Sequence, residues 1–354
     1  MNRHQTALQL LHEGTVIPAL PLALDAERRF DPARERTLLR YYFDAGAGGI
    51  AAAVHTTQFA IRDPKVGLFE PLLALVSEEA GRYEEQSGRA LVRIAGACGE
   101  TAQAVREAEL AREYGFDAVL LSPGGLPGYT EDDFVERTRA VAEVLPVVGF
   151  YLQPSVGGRV FSYDYWQKIC AIENVVAIKS APFNRYQTLE LVRAAALSPR
   201  SGEIALYTGN DDNIVVDLLT EYAFSDENGQ IRRKGFAGGL LGHWAVWTRR
   251  AAELFEELKQ YRGRAEIPSE LLTRAAQVTD CNSAFFDTAH SFAGCIAGVH
   301  EVLRRQGLLE GIWCLDPEEG LSPGQAEEID RVYRMYPDLN DDAFVRENLA
   351  RWAE

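Results

Sequence analysis

Residues 175–181 read Val-Val-Ala-Ile-Lys-Ser-Ala, an apolar run broken near its end by one lysine. Apolar and polar residues do not alternate in it, so it predicts a strand covered on both faces, as parallel strands are. Seven further runs of this kind flank it: VIPALPLAL from Val16, GIAAAV from Gly49, LVRIAGAC from Leu91, AVLLSP from Ala118, VVGFYLQP from Val147, IALYTG from Ile204 and GFAGGLL from Gly235. Between them lie helical patterns such as TAQAVREAELAREYG from Thr101, with Glu100 and Thr101 near its start and Gly115 at its end. Eight βα units without a duplicated half predict an α/β fold of the (β/α)8 TIM-barrel type rather than an open doubly wound sheet. A dinucleotide-binding sheet would also want G-x-G-x-x-G after its first strand, where this chain has DAERRFDP. One segment breaks the rhythm: SDENGQIRRK, residues 225–234, whose Asn-Gly pair predicts a turn or small hairpin insertion.

The strand signals stop after about Ile267. Helical patterns follow over roughly Ser269–Val278, Ser283–Gln306, Gly324–Met335 and Asp341–Ala353, with Pro317, Pro323 and Pro337 in the gaps. The expected organisation is a barrel catalytic domain over residues 1–266 and a helical C-terminal extension over 267–354, packed on the barrel. A chain of 354 residues suits one barrel of about 250 residues plus such an appendage.

Composition narrows the function classes. The formal charge is −16, from 36 basic and 52 acidic residues, which argues against a nucleic-acid or anionic-membrane surface because both need basic patches. Cys98, Cys170, Cys281, Cys295 and Cys314 are scattered without a C-x-x-C pair, which fits a reducing cytoplasm better than a disulfide framework. The N-terminal stretch MNRHQTALQLLHEG is too interrupted for a signal peptide, and no stretch approaches the roughly 20 apolar residues of a membrane span. The expected location is the cytoplasm.

In a (β/α)8 barrel the chemistry sits at the C-terminal ends of the strands. Those ends supply Thr56 and Thr57, Pro123-Gly124-Gly125, Tyr151, Lys179 and Gly209-Asn210-Asp211. Lys179 is the sharpest of them. An ammonium flanked by buried residues must shed its hydration, which depresses its pKa and leaves the neutral amine that a carbonyl nucleophile requires. Tyr151 lies one strand earlier and is expected at the same mouth, where a phenol can shuttle protons. His55 and His243, at the ends of the second and eighth runs, are candidate acid–base groups. No HxH or HExxH spacing occurs, so neither a metal nor another cofactor is expected.

The phrase Tyr-x-x-Pro…Val-Val-Ala-Ile-Lys, with 28 residues from Tyr151 to Lys179, resembles the dihydrodipicolinate synthase / N-acetylneuraminate lyase family of class I aldolases. Ala-Gly-Ala-Gly-Gly-Ile before the second run, Ile-Ala-Gly-Ala-Cys-Gly in the third and Gly-Phe-Asp-Ala-Val-Leu-Leu-Ser-Pro in the fourth extend the resemblance over about residues 14–262. It implies that Lys179 is the Schiff-base lysine, that Tyr151 relays protons, and that Thr56 and Thr57 hold the carboxylate of a 2-keto acid such as pyruvate. His55, Gly209 and Asn210 complete the expected substrate contacts. It also implies a homo-oligomer, a dimer or tetramer.

Three departures stand out. His55 and Gln58 replace glycines of the family's Gly-Thr-Thr-Gly loop, Val156 stands where the synthases carry an arginine, and Gly124-Gly125 replaces a tyrosine pair. The loss of the arginine argues against dihydrodipicolinate synthesis and for a partner without a second carboxylate, such as a sugar-acid chain or an aromatic aldehyde. The extension carries its own phrase, CNSAFFDTAHSFAGCIAG, in which Asn282, Asp287 and His290 fall in an expected helix with Asp287 and His290 on one face. The expected function is a Schiff-base lyase acting on a 2-keto acid. The rival is a retired barrel that binds a keto acid or sugar acid as a sensor or scaffold.

Overall fold

Each of the eight apolar runs forms a strand, and side chains leave a strand alternately to its two sides. In the computed structural model, which describes residues 2–354, the parallel strands are β1 (Val16–Pro18), β2 (Gly49–Ala52), β3 (Val92–Ala97), β4 (Ala118–Leu121), β5 (Val147–Leu152), β6 (Val175–Ala181), β7 (Ala205–Thr208) and β9 (Ile231–Leu241). Their order is β1-β9-β7-β6-β5-β4-β3-β2. The ring closes between β1 and β2, where Leu20 N–H donates to Ala51 O at 2.8 Å and Gly48 N–H to Val16 O at 3.0 Å. The inward set, including Ile17, Ile94, Leu120, Val148, Phe150, Ala177, Ala181 and Tyr207, fills the barrel as one apolar cluster. The outward set packs beneath the surrounding helices as a second, larger one.

Seven helices follow the strands around the barrel: α2 (Pro32–Ala45), α3 (Phe69–Ser87), α4 (Thr101–Glu113), α5 (Glu131–Ala142), α6 (Tyr163–Cys170), α7 (Arg185–Leu197) and α8 (Ile214–Leu219), with α9 (Thr248–Lys259) as the eighth. The N-terminal stretch forms α1 (Arg3–Glu13), capped by Asn2 in a reciprocal capping box with Gln5. Leu11 of α1 joins the barrel-interior cluster and its carbonyl accepts the Tyr207 hydroxyl at 2.7 Å, so α1 stoppers the end opposite the strand C-termini. The Asn-Gly segment is a hairpin: β8 (Glu221–Ser225) pairs antiparallel with the first half of β9, around Gly229 at φ 75°.

Beyond the eighth unit come α10 (Glu270–Phe285), α11 (Cys295–Arg305), α12 (Gln325–Met335) and α13 (Asp342–Trp352). The single helix expected over Ser283–Gln306 is instead two, separated by a knot of left-handed residues: Asp287 (φ 55°), Ser291 (φ 55°) and Phe292 (φ 70°). The Asp287 side chain pins this knot. It accepts Gly294 N–H at 2.9 Å and the Ser322 hydroxyl, and meets His290 Nδ1 at 2.6 Å, so the Asp287–His290 pair spans a tight turn rather than a helix face. The break turns the apolar residues back onto the barrel. Phe285, Phe286, Ile296, Val299 and Leu303 are all buried within the chain. No helix among the described residues is long and apolar enough to cross a membrane.

Candidate active site

The strand C-termini open into a cavity with about 90 Å³ of room for the centres of water molecules, enough for several waters. Lys179 reaches it from β6, Phe150 and Leu152 from β5, and Gly209 and Asp211 from the turn after β7. His55 and Thr56 enter from the short turn after β2, and Phe286, Phe292 and Cys295 close it from the C-terminal extension. The extension thus covers the barrel mouth. Burying a Phe side chain fully stabilises by about 1.5–3 kcal/mol, and Phe286, 4% exposed, is the anchor of this cover.

Lys179 lies between the inward residues Ala177 and Ala181, and alternation therefore aims it inward as well. Its stem crosses the end of β7, where only glycine leaves room: a Cβ on Gly209 would stand 2.5 Å from Lys179 Cε. Nζ rests 4.6 Å from the centre of the Phe150 ring, and no side chain among the described residues hydrogen-bonds it. Burial drives the Lys179 pKa below the ordinary lysine value, partly opposed by the negative charge of Asp211. Burial likewise raises the Asp211 carboxyl above the ordinary aspartate value, opposed by the His243 N–H bonded to Oδ1 at 2.9 Å and by the lysine. The pair shares one site without forming a direct ion pair.

Tyr151 does not reach the cavity. It pairs with Ser180, and its ring faces outward against Phe161 and Trp166, where the hydroxyl accepts Phe161 N–H at 3.4 Å. The cause is one extra residue. Val147 pairs with Val175, a spacing of 28, but Val148 pairs with Ala177, so Val176 is a bulge and the spacing becomes 29 up to the strand ends. Phe150 therefore stands opposite Lys179, and the expected tyrosine is rotated to the other face. Burial pushes the Tyr151 phenol up to about 12.

The threonine pair divides. Thr56 borders the cavity, whereas Thr57 is fully buried behind it, its hydroxyl donating to Leu20 O at 2.6 Å and accepting Val54 N–H at 3.2 Å. Thr56 Oγ1 also donates to Leu20 O, at 3.2 Å. Gln58 has a positive φ of 69°, a backbone conformation that residues with a Cβ rarely adopt. Its Oε1 accepts Leu315 N–H at 2.6 Å, which fastens the C-terminal extension to this loop. His55 lines the cavity, and burial together with the nearby Lys179 charge lowers its pKa to about 4, so the imidazole is neutral near pH 7.

Gly209 borders the cavity but Asn210 does not. The Asn210 amide is buried outside it, accepting Phe183 N–H at 3.1 Å and donating to Asp217 Oδ2 at 3.0 Å. Its neighbour Asp211, which stood among the strand-end residues in the sequence without a role, is the side chain that enters. Its loop is clamped by α10, where Asn282 Nδ2 donates to Asp211 O at 2.7 Å and Thr279 Oγ1 to Asp212 O at 2.9 Å. His243 contributes its backbone to Asp211, while its buried ring stacks on Phe285 with a pKa lowered by burial to about 4. Phe150 was legible in the sequence only as an ordinary core residue. Among the described residues no group of three or more His, Cys, Asp or Glu is placed to hold a metal ion.

Set beside known proteins, the chain is 26% identical over 269 residues to an N-acetylneuraminate lyase of Escherichia coli (strain SMS-3-5 / SECEC), covering 75% of this chain and 80% of the relative. A second N-acetylneuraminate lyase, from Escherichia fergusonii, is 25% identical over the same length. Among solved structures, dihydrodipicolinate synthase from Oceanobacillus iheyensis superposes with a TM-score of 0.73 at 16% identity, over 95% of this chain and all of that one. A prophage protein of the dihydrodipicolinic acid synthase family from Escherichia coli K12, solved in complex with pyruvate, gives 0.71 at 13% identity over 92% of this chain and 98% of its own. These last two likenesses concern the fold. No family model matches the sequence.

Proposed function

We propose, from the premise that this chain is a divergent member of the dihydrodipicolinate synthase / N-acetylneuraminate lyase family, that it is a class I lyase forming a Schiff base between Lys179 and a small 2-keto acid. The observation that carries this reading is the enclosed lysine with a depressed pKa at the C-terminal end of a barrel strand. A neutral amine attacks the keto carbon, water is lost, and the iminium withdraws electrons from the adjacent carbon as a C–C or C–O bond breaks or forms. Thr56 borders the end of the cavity where the family resemblance puts the keto-acid carboxylate.

The partner side of the cavity is apolar. Val156, Phe183, Phe286 and Phe292 line it and no arginine does, which supports an aldehyde partner with an apolar or aromatic body over one with a second carboxylate. In this reading residues 1–266 carry the chemistry, and residues 267–354 exclude water from the iminium. The test is reduction with borohydride in the presence of pyruvate, read by mass spectrometry of the Lys179 peptide. A stable adduct on Lys179 is the expected result; no adduct with any 2-keto acid offered would reject the lyase. One observation favours the rival reading of a keto-acid binder without turnover: Phe150, not a phenol, lies against the amine. Under that reading a keto acid binds but no reduced adduct forms.

A further inference from the structure

Schiff-base formation needs two proton movements that Lys179 cannot make alone. The attacking nitrogen must lose a proton, and the carbonyl oxygen must gain protons to leave as water. Phe150 occupies the position beside Nζ and has no proton to give. The cavity offers few other groups: His55, Asp211 and Cys295 are the remaining titratable side chains that line it.

Resting on the Schiff-base reading above, we propose that Asp211 is the proton relay of this site, taking the place of a tyrosine that the bulge at Val176 has turned away. The Lys179 stem passes over Gly209 towards the loop that holds Asp211, and both side chains border the same cavity. The carboxyl group is fixed from behind: His243 N–H holds Oδ1, and Asn282 and Thr279 hold the backbone of the loop. Oδ2 lies near Gly242, where a Cβ would stand 3.9 Å from it and 3.1 Å from the edge of Phe286, so it sits beneath the aromatic cover. The two groups line one cavity without a direct ion pair, so a substrate held on Nζ lies in the same cavity as the carboxyl group.

The alternatives fit less well. Protonating His55 would put an imidazolium beside an iminium, two like charges in one cavity, and burial together with the Lys179 charge already depresses its pKa. Burial and the Asp211 charge push the Cys295 thiol up, so it gives its proton poorly. A carboxylate ends the step as the counter-ion of the iminium.

The proton count closes with one proton shared by the pair. The reactive state is neutral amine and carboxylic acid. Nζ donates its lone pair to the keto carbon, the C=O π pair moves to oxygen, and Asp211 gives that oxygen its proton. The carboxylate then takes a proton from the nitrogen, leaving a neutral carbinolamine. Asp211 returns this proton to the hydroxyl, the C–O bond breaks, water leaves, and the nitrogen lone pair forms the iminium opposite a carboxylate.

The test is the rate of borohydride trapping of pyruvate on wild type, Asp211→Asn and Asp211→Glu. Asparagine keeps an oxygen that can accept His243 N–H and removes the ability to carry a proton together with the negative charge. Trapping on Asp211→Asn should slow by about 10²–10⁴, the range for a positioned acid–base group, while the same Lys179 peptide is eventually labelled. Asp211→Glu should trap faster than Asp211→Asn. An Asp211→Asn rate within threefold of wild type overturns the relay and leaves the Schiff base standing. No adduct on wild type removes the reading beneath it instead.

A second measurement needs no variant. The groups facing Asp211 are Lys179 from β6, His243 after β9, Asp212 in its own loop and Cys295 from α11. Below the titration of the Lys179–Asp211 pair the amine is an ammonium; above it the acid is gone. The wild-type trapping rate should therefore pass through a maximum with limbs that belong to the pair. A rate that only rises with pH to a plateau contradicts the relay.

Discussion

The two ends of this barrel bury charge in opposite ways. At the stoppered end the Asp117 side chain is fully buried and fully occupied: it accepts Arg3 Nη1 at 2.7 Å, Arg3 Nη2 at 2.9 Å, Arg93 N–H at 3.0 Å, and meets His4 Nδ1 at 3.0 Å. At the mouth, Lys179 and Asp211 border an open cavity and are not in direct contact, and burial drives both towards their neutral forms. A satisfied buried charge holds structure together, and one left short of partners is poised to exchange protons or bonds. Chain and cover treat the two ends accordingly. α1 contributes ion-pairing side chains to the first, and the extension contributes rings to the second.

Three substitutions test that contrast, in descending order of effect. Lys179→Met should reduce turnover to the uncatalysed background, because the covalent intermediate is lost. The same variant should melt at or above the wild-type temperature, since it removes an amine that is costly to desolvate. A large fall in melting temperature would show that Lys179 is structural after all.

Asp117→Ala should do the reverse. It strips four contacts from one buried carboxylate and should destabilise the fold by about 1.5–3 kcal/mol, the scale of hydrogen bonds to a charged group, with a discount for the partial exposure of Arg3. Denaturant unfolding measures this loss, and kcat should stay within about twofold of wild type. A large loss of activity at full occupancy of the folded state would mean the two ends are coupled. Tyr151→Phe should have the smallest effect, with a rate within about threefold of wild type and a stability loss of about 0.5–1.5 kcal/mol for one hydrogen bond. A fall of 10² or more in kcat would put Tyr151 back in the proton relay.

The cover and the mouth also differ in how far they could be read in advance. CNSAFFDTAHSFAGCIAG has helical composition, and nothing in its spacing announces Asp287, Ser291 and Phe292 as left-handed. Gly294 N–H, Ser322 and His290 on its side chain, with His290 and Phe292 N–H on its carbonyl, hold the Asp287 turn. The hairpin of residues 221–241 was legible because Asn-Gly turns are local chemistry.

The sequence by itself determined the eight strands, their burial on both faces and the inward lysine. Apolar runs and strand alternation are properties of a single segment, and a charged residue inside such a run must be paired, neutralised or used. The tertiary structure alone decided what stands beside that lysine. Register belongs to a pair of strands, and the bulge at Val176 changes the offset between β5 and β6 from 28 to 29. Because side chains alternate with period two, that one residue exchanges Tyr151 for Phe150 at the mouth, while Asp211, from the loop after β7, lines the same cavity as the amine.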